Sequence, residues 1–425
     1  MIGDEKMGFL PVAVVVLALM VLIGFLNEKT LKMTNEIALM LFSSVIGVIL
    51  VIIVSVVQDS TVQQVLNDIQ VFDLEKFLMD GVLCFMLFAG CCHMKLNDFK
   101  KHARPICVLS FLVTFLGAVI YGFLFYVVSE LFHLPFTLPI CLMFGSIVAP
   151  TDPIAATSIL KKFGLPKTTG FLMEAESLLN DGVGVALFVC FSGMVRTHTS
   201  GGGVGQFFLV MLREIAGAVA IGTVVTFLCF MIFKRTEDGK RRIFISLLAV
   251  GLSYLLCEIL NCSGAIASVV CGVLFSSFRN KEAEKGNKMD LAEFDSLWDV
   301  LDVLLNSALY VILGLTFVRI RQMPHVLLIS LIAIVCNFGG RIGSLLAGTF
   351  CMGKIPDGYK RGEFIKIFTW GGLRGGLCVA LAMSTSGMLP QDVFHYILGG
   401  TYAIVFFTTV IQGLTMRKVC AKQLK

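Results

Sequence analysis

The chain has 425 residues, of which 57% are hydrophobic and 15% are charged, and its mean hydropathy is +0.88. A soluble domain usually carries about a quarter charged residues, so this composition excludes an ordinary soluble protein and indicates an integral membrane protein. The net charge is +5, but the basic residues lie in short loops between apolar runs, a pattern that reports membrane orientation and does not indicate nucleic-acid binding. We expect membrane lipids, and no nucleic acid, among the partners.

Apolar segments long enough to cross a bilayer recur from one end of the chain to the other. A spanning helix needs roughly 20 mostly apolar residues. We therefore predict a single transmembrane domain over residues 1–425, with no soluble regulatory domain. Its thirteen membrane helices are centred in residues 9–26, 37–57, 77–94, 106–132, 135–159, 168–195, 204–233, 243–260, 263–278, 292–317, 325–350, 364–387 and 395–416. We expect residues 58–76 to form a short surface helix, and the acidic start of the tenth segment to lie partly at the membrane interface.

The loops predict which way the chain is inserted. With the N-terminus outside, the inner loops and tail hold twenty-five Lys and Arg residues and the outer loops hold five. Because basic residues accumulate on the cytoplasmic side, we expect an external N-terminus and a cytoplasmic C-terminus.

The 14 cysteines give no sign of a metal or redox centre. They include no C-x-x-C pair, and most lie within apolar runs, where cysteine behaves as a small hydrophobic residue. We expect no bound cofactor.

The fifth segment contains the sequence VAPTDPIAAT at residues 148–157. Pro153 lacks a backbone donor and Pro150 disfavours a helical conformation at the residue before it, so the helix should break around Thr151 and Asp152. Broken helices inside a membrane line cavities, and their ends can bind ions. A carbonyl left free at Thr151 can bind a cation, while Asp152 can neutralise the positive end of the next half-helix.

The sixth segment carries several polar residues in the sequence MEAESLLNDG. At 100° per residue, Glu176, Ser177, Asn180 and Asp181 fall on one face of a helix, with Glu174 at its edge. A helix that faces lipid does not tolerate such a face, so we expect it to line the protein interior or a watery cavity.

A second interruption is predicted in the twelfth segment, TWGGLRGGLC, where four glycines surround Arg374. The fifth and twelfth segments are seven apart, so the two interrupted helices enter the membrane from opposite sides. This is the mark of an inverted repeat with a binding site near the midplane. Arg374 and Arg341 both lie deep in apolar segments, where a charge needs a partner.

These motifs together resemble the monovalent cation/proton antiporter family, in its sodium/proton exchanger (NhaP-like) branch. APTDP, ESLLNDG and GGLRGG occur in this order and spacing in the family, and SGAIASVVCG, LDVLLNSALYVILGL and GGRIG are similar to family segments. The resemblance covers about residues 77–416. It implies an all-α membrane protein of about thirteen transmembrane helices, with inverted repeats and two broken crossing helices.

The resemblance also implies how the chain is organised. Residues of about 106–195 and 325–416 would form the transporting core, residues of about 9–94 and 243–317 the scaffold of a homodimer, and residues 204–233 a linker helix. The protein would lie in the plasma (inner) membrane.

The same resemblance assigns a cation and proton site. Asp181 would hold the cation and the proton in turn, while Ser177 and the backbone at Thr151 would help to coordinate Na⁺. Asn180 and Asp152 would frame this site.

Three charged residues would have structural roles by the same resemblance. Glu176 would pair with Arg341 and hold helix 6 against helix 11, and Arg374 would support the crossing in helix 12. Some family members add a glutamate in helix 3, where this chain has Ala89. Water or Asp152 would then take the place of that ligand.

The function implied is secondary active antiport, by alternating access, of a monovalent cation for H⁺. Na⁺ is our first expectation, and K⁺ and Li⁺ stay open because all three use oxygen ligands. The Asn–Asp pair at 180–181 offers one titrating group, which predicts electroneutral 1:1 exchange unless Asp152 also titrates. We do not expect an enzyme, because neither aspartate has the Tyr-Asp or Gly-x-Gly-Asp context of an intramembrane protease. A cation channel is a remote alternative, since the sequence repeats no selectivity filter.

Overall fold

The structure, a computed structural model, describes residues 9–57, 76, 78, 82–92, 94, 96–152, 156–157, 164–197, 204–285, 291–316 and 326–421. The predicted surface helix at 58–76 lies outside these residues, apart from residue 76. The regular elements of the described chain are helices. We number the fifteen main ones in chain order: α1 (Phe9–Lys29), α2 (Asn35–Val57), α3 (Leu83–Cys91), α4 (Leu96–Lys101), α5 (Ala103–Leu131), α6 (Leu138–Ile147), α7 (Lys167–Thr197), α8 (Val204–Arg235), α9 (Gly239–Ile259), α10 (Gly264–Glu284), α11 (Ala292–Thr316), α12 (Val326–Cys351), α13 (Arg361–Trp370), α14 (Gly376–Met383) and α15 (Gln391–Cys420).

Each of the thirteen predicted membrane segments coincides with helix among the described residues. Eight of the described helices are at least 18 residues long and apolar enough to cross a bilayer. The two predicted interruptions are also present. Helix α6 ends at Ile147, ahead of Pro150, and the twelfth segment is divided into α13 and α14 by residues 371–375.

The helices pack as two groups. In one, α6 lies against α5 and α7, and α12 packs between α5 and α15; in the other, α11 lies along α2, and α10 packs against α3, α8 and α9. Each group has its own aromatic contacts: Tyr121, Phe125 and Phe144 pack together in the first, and Phe88, Phe275 and Trp298 in the second.

Outward-facing apolar side chains cover the surface of both groups. Val21 of α1 is 73% exposed, Leu327 of α12 is 86% exposed, and Leu209 of α8 is 67% exposed. In water such surfaces would be costly, but a bilayer covers them without penalty.

Glycine allows the backbones of α5 and α6 to approach closely. A Cβ atom added at Gly145 would lie 2.1 Å from the carbonyl oxygen of Ala118. Gly145→Ala is therefore expected to separate these helices and to lower the free energy of unfolding by about 1–3 kcal/mol. Gly251→Ala in α9 is the matched control, because no atom lies within 4 Å of that added Cβ. Melting temperatures in detergent measure both effects, and equal values for the two variants would contradict this account of the contact.

Candidate functional site

The two interrupted segments cross each other at the centre of the first group of helices. The backbone N–H of Asp152 donates to the carbonyl oxygen of Leu373 at 2.8 Å, forming an isolated antiparallel bridge. Gly375 leaves room for this crossing, since an added Cβ would lie 2.9 Å from Oδ2 of Asp152. Pro153, which was predicted to help break the helix, lies outside the described residues, so its effect on the following half-helix stays a prediction.

The α7 side chains Ser177 and Asn180 hold the extended residue Thr151. Asn180 accepts from the backbone N–H of Thr151 at 3.2 Å and donates to its hydroxyl at 2.8 Å. The hydroxyl of Ser177 donates to the Thr151 carbonyl. The sequence predicts a free carbonyl at Thr151, whereas in the structure this oxygen is engaged, because α7 lies close enough for Ser177 to reach it.

Asp181 differs from its neighbours on α7. It lies one helical turn beyond Ser177, and its carboxylate faces a cavity of about 330 Å³. Among the described residues, no hydrogen bond or ion pair to this carboxylate is present. An anionic group that faces a cavity in this way can accept a cation or a proton without first breaking an internal contact.

Glu176 points away from that cavity and pairs with Arg341 of α12. Its Oε1 lies 2.6 Å from Nη1 of Arg341, and the two side chains are only 3% and 7% exposed. The same guanidinium donates through Nε and Nη2 to the carbonyl oxygen of Phe368, at 3.2 and 3.1 Å. The pair therefore connects α7, α12 and the end of α13.

Arg374 lies between α13 and α14 and completes the crossing. Its Nη1 donates to the carbonyls of Ala149 and Pro150, just beyond the C-terminal end of α6. Nε and Nη2 donate to Oδ1 of Asn337 at 3.2 and 3.0 Å. Carbonyls past the end of a helix have no intrahelical donors, and a cation at this negative end of the helix dipole stabilises them.

Among the described residues, the cavity is lined by five acidic residues, and two of them, Asp299 and Asp302, were not predicted from the sequence. Its lining includes Glu174, Asp181 and Asp152 together with Asp299 and Asp302 of α11. Asp299 is exposed, whereas Thr151 is 5% exposed, so we infer that the cavity opens beside Asp299 and is deepest at Thr151. Ala89 also lines the cavity, so the residue that departs from the family pattern faces this same space.

The signal that could have found the α11 residues is their spacing. Positions 299, 302, 306 and 310 fall within about 80° on a helix, and they carry two aspartates, an asparagine and a tyrosine. Asn306 donates to Oδ1 of Asp302 at 2.9 Å, and the Tyr310 hydroxyl donates to Oδ2 of Asp152 at 2.5 Å. The acidic start of the tenth segment belongs to one continuous helix that borders the cavity.

Almost the whole chain matches a known family of membrane proteins. Residues 14–422 match the model of the transmembrane sodium/hydrogen exchangers. The chain belongs to the sodium/hydrogen exchanger family. The family predicted from the motifs is thereby confirmed, as is the character of the chain as a multi-pass membrane protein.

Two curated relatives match nearly the whole chain. The Na(+)/H(+) antiporter NhaP of Pseudomonas aeruginosa is 27% identical over 410 residues, which is 94% of this chain and 93% of that protein. The Na(+)/H(+) antiporter NhaH of Halobacillus dabanensis is 26% identical over 93% of each chain.

A solved structure has the same fold. The sodium proton antiporter MjNhaP1 of Methanocaldococcus jannaschii superposes with a TM-score of 0.76 over 98% of each chain, at 20% identity. The predicted fold class, an all-α membrane protein with the sodium/proton antiporter fold, is confirmed by this match and by the helices described above.

Proposed function

We propose that this protein is a secondary active antiporter that exchanges Na⁺ for H⁺, with Asp181 as the group that carries each in turn. The observation that carries this proposal is the contrast between Asp181 and the polar groups near it. Ser177 and Asn180 are both hydrogen-bonded to Thr151, and Glu176 is paired with Arg341. The Asp181 carboxylate faces the cavity with no partner among the described residues.

Two neutral oxygens next to Asp181 complete the proposed Na⁺ site. The Ser177 hydroxyl lies one turn before Asp181 and already contacts the carbonyl oxygen of Thr151. The Ser177 hydroxyl hydrogen can rotate about the C–O bond and away from Thr151. The hydroxyl oxygen and the Thr151 carbonyl oxygen can then both offer a lone pair to a cation. Hard oxygen ligands of this kind suit an alkali cation.

Cation and proton compete for the same carboxylate. Na⁺ stabilises its charged form, and a proton neutralises it, so binding one requires release of the other. Asp152 and the acidic residues of α11 make the cavity electronegative, which concentrates cations near Asp181. The cavity opens near the starts of α7 and α11, and each of these helices follows a basic loop. If the basic loops face the cytoplasm, this cavity is therefore the cytoplasmic entrance.

We also propose that the two packing groups are a transporting core and a dimer scaffold. The core comprises α5–α7 and α12–α15, and it contains the crossing, Asp181, Arg341 and Arg374. The scaffold comprises α1–α3 and α9–α11, with α8 as the linker. Alternating access then requires the core to move against the scaffold while the protein stays a homodimer.

Reconstituted protein tests the function directly. In proteoliposomes loaded with a pH-sensitive dye, an inward Na⁺ gradient is expected to raise the internal pH, since each Na⁺ that enters removes one H⁺. Parallel measurements with K⁺ and Li⁺ establish cation preference. No pH change with any of the three cations would overturn the proposal, and a current that flows without a counter-cation would indicate a channel.

The stoichiometry gives a separate prediction. If Asp181 alone titrates, one cation replaces one proton and no net charge crosses the membrane, so the rate is expected to be independent of voltage. An imposed K⁺–valinomycin potential during Li⁺- or Na⁺-driven exchange tests this. A rate or end-point that follows the potential would require a second titrating group, and Asp152 is the residue to change first.

A further inference from the structure

Two buried tyrosine hydroxyls connect α11 to the proposed core, one at Asp152 and one on α15. Tyr310 of α11 donates its hydroxyl hydrogen to Oδ2 of Asp152 at 2.5 Å. Tyr402 of α15 donates to Oγ1 of Thr316, at the end of α11, at 2.8 Å. Both tyrosine side chains are fully buried. Positions 310 and 316 are roughly 9 Å apart along the helix, so α11 is held at two levels.

Two close contacts between the two groups of helices, among the described residues, are apolar. A Cβ at Gly376 of α14 would lie 2.4 Å from Cδ1 of Leu309, and one at Gly182 of α7 would lie 2.2 Å from Cγ1 of Ile266 in α10. Apolar contacts are non-directional, so they can be replaced by other apolar contacts when the helices move. Hydrogen bonds are directional, and a buried donor that loses its acceptor is destabilised.

We propose that Tyr310 and Tyr402 clamp α11 to the core in the state whose cavity opens beside Asp299, and that both bonds break when the core moves. This inference rests on the proposed alternating access of core against scaffold. Tyr310 acts as a positioning residue, because its hydroxyl is hydrogen-bonded to Asp152 at the crossing and not to Asp181. Its hydroxyl would therefore set the populations of the two states and leave the cation ligands in place.

The expected effect is a shift in the equilibrium between the two states. Loss of a buried hydrogen bond to a carboxylate corresponds to roughly a tenfold change or more in an equilibrium constant. Apparent affinity scales with the fraction of molecules in the binding-competent state. The ratio of the apparent KM for Na⁺ on the two sides of the membrane therefore reports the shift, whereas general destabilisation does not change it.

Tyr310→Phe and Tyr402→Phe, alone and combined, test the clamp in the full-length protein. Tyr121→Phe is the matched control: its hydroxyl is also buried in the core and has no hydrogen-bond partner among the described residues. Exchange is measured in inside-out and right-side-out vesicles, with Na⁺ varied on either side. Amide hydrogen exchange of α11 and α14 is measured in nanodiscs.

We expect Tyr310→Phe to retain exchange and to raise the KM on the cavity side relative to the opposite side by about tenfold or more. Exchange of α11 amides near residues 302–306 should slow as the cavity closes, and Tyr402→Phe should act in the same direction. Tyr121→Phe should change neither quantity. A KM ratio and amide exchange in the double variant equal to those of Tyr121→Phe would overturn the clamp. If Asp181→Asn is inactive in the same assays, the proposed function stands even then.

Discussion

Asp181→Asn is expected to abolish sodium-driven proton movement and to leave the protein folded. The amide has nearly the same shape as the carboxylate, but it cannot exchange a cation for a proton. Because Asp181 forms no hydrogen bond or ion pair with any described residue, its replacement leaves no partner stranded. Replacing a carboxylate in a confined cavity also removes a desolvation cost, so the melting temperature should be unchanged or higher.

The measurement is the pH change in proteoliposomes, with size-exclusion profile and melting temperature in detergent as checks on folding. Ser177→Ala is a useful companion, because it removes a proposed neutral ligand and keeps the charge. We expect it to weaken Na⁺ affinity and to retain exchange at high Na⁺. Substantial exchange by a well-folded Asp181→Asn variant would move the carrier role to another carboxylate that lines the cavity, such as Asp152 or Glu174.

Arg341→Ala is expected to lower the free energy of unfolding more than Glu176→Gln or Asp181→Asn does. It leaves Glu176 as a buried carboxylate without its partner and removes two donors from the Phe368 carbonyl. Removal of one member of a buried ion pair costs about 3–5 kcal/mol. Glu176→Gln should be milder, because the amide can still accept from Nη1 and the Arg341–Phe368 bonds remain.

Melting temperatures of the three variants at one pH and without added Na⁺ test this division of roles. We expect Arg341→Ala to melt lowest, followed by Glu176→Gln, with Asp181→Asn at or above wild type. The double variant Glu176→Gln/Arg341→Met measures the coupling, since it removes both charges together and should recover part of the loss. If Asp181→Asn melts lowest, Asp181 has a structural role and the division is wrong.

The positions of the two helix breaks could be predicted because they follow from local chemistry. Pro150 restricts the backbone before it, and the glycines around Arg374 weaken a helix wherever they are placed. The polar face of α7 could also be predicted, since helical periodicity alone separates a polar face from an apolar one. These features depend on residues close together in sequence.

Contacts between distant segments could not be predicted in the same way. Nothing near Thr151 indicates that Asn180 holds both its backbone N–H and its hydroxyl, or that Ser177 reaches its carbonyl. The α11 residues that line the cavity were not predicted for another reason. Asp299 and Asp302 lie at an acidic helix start, where interfacial residues are common, and only the fold shows that this helix borders the Asp181 cavity.

The bridge between Asp152 and Leu373 has a consequence for biosynthesis. The Asp152 N–H donates to Leu373, and the carbonyls of residues 149 and 150 accept from Arg374. Both partners lie more than 200 residues further along the chain, so neither has been translated when the first interrupted segment leaves the ribosome. Unpaired backbone groups are costly in a bilayer, so the nascent chain must keep this segment beside water or the insertion machinery until the second half arrives. Co-translational insertion of this protein therefore ends with the two halves packing together. An amino-terminal half made alone lacks Leu373 and Arg374, so these hydrogen bonds cannot form.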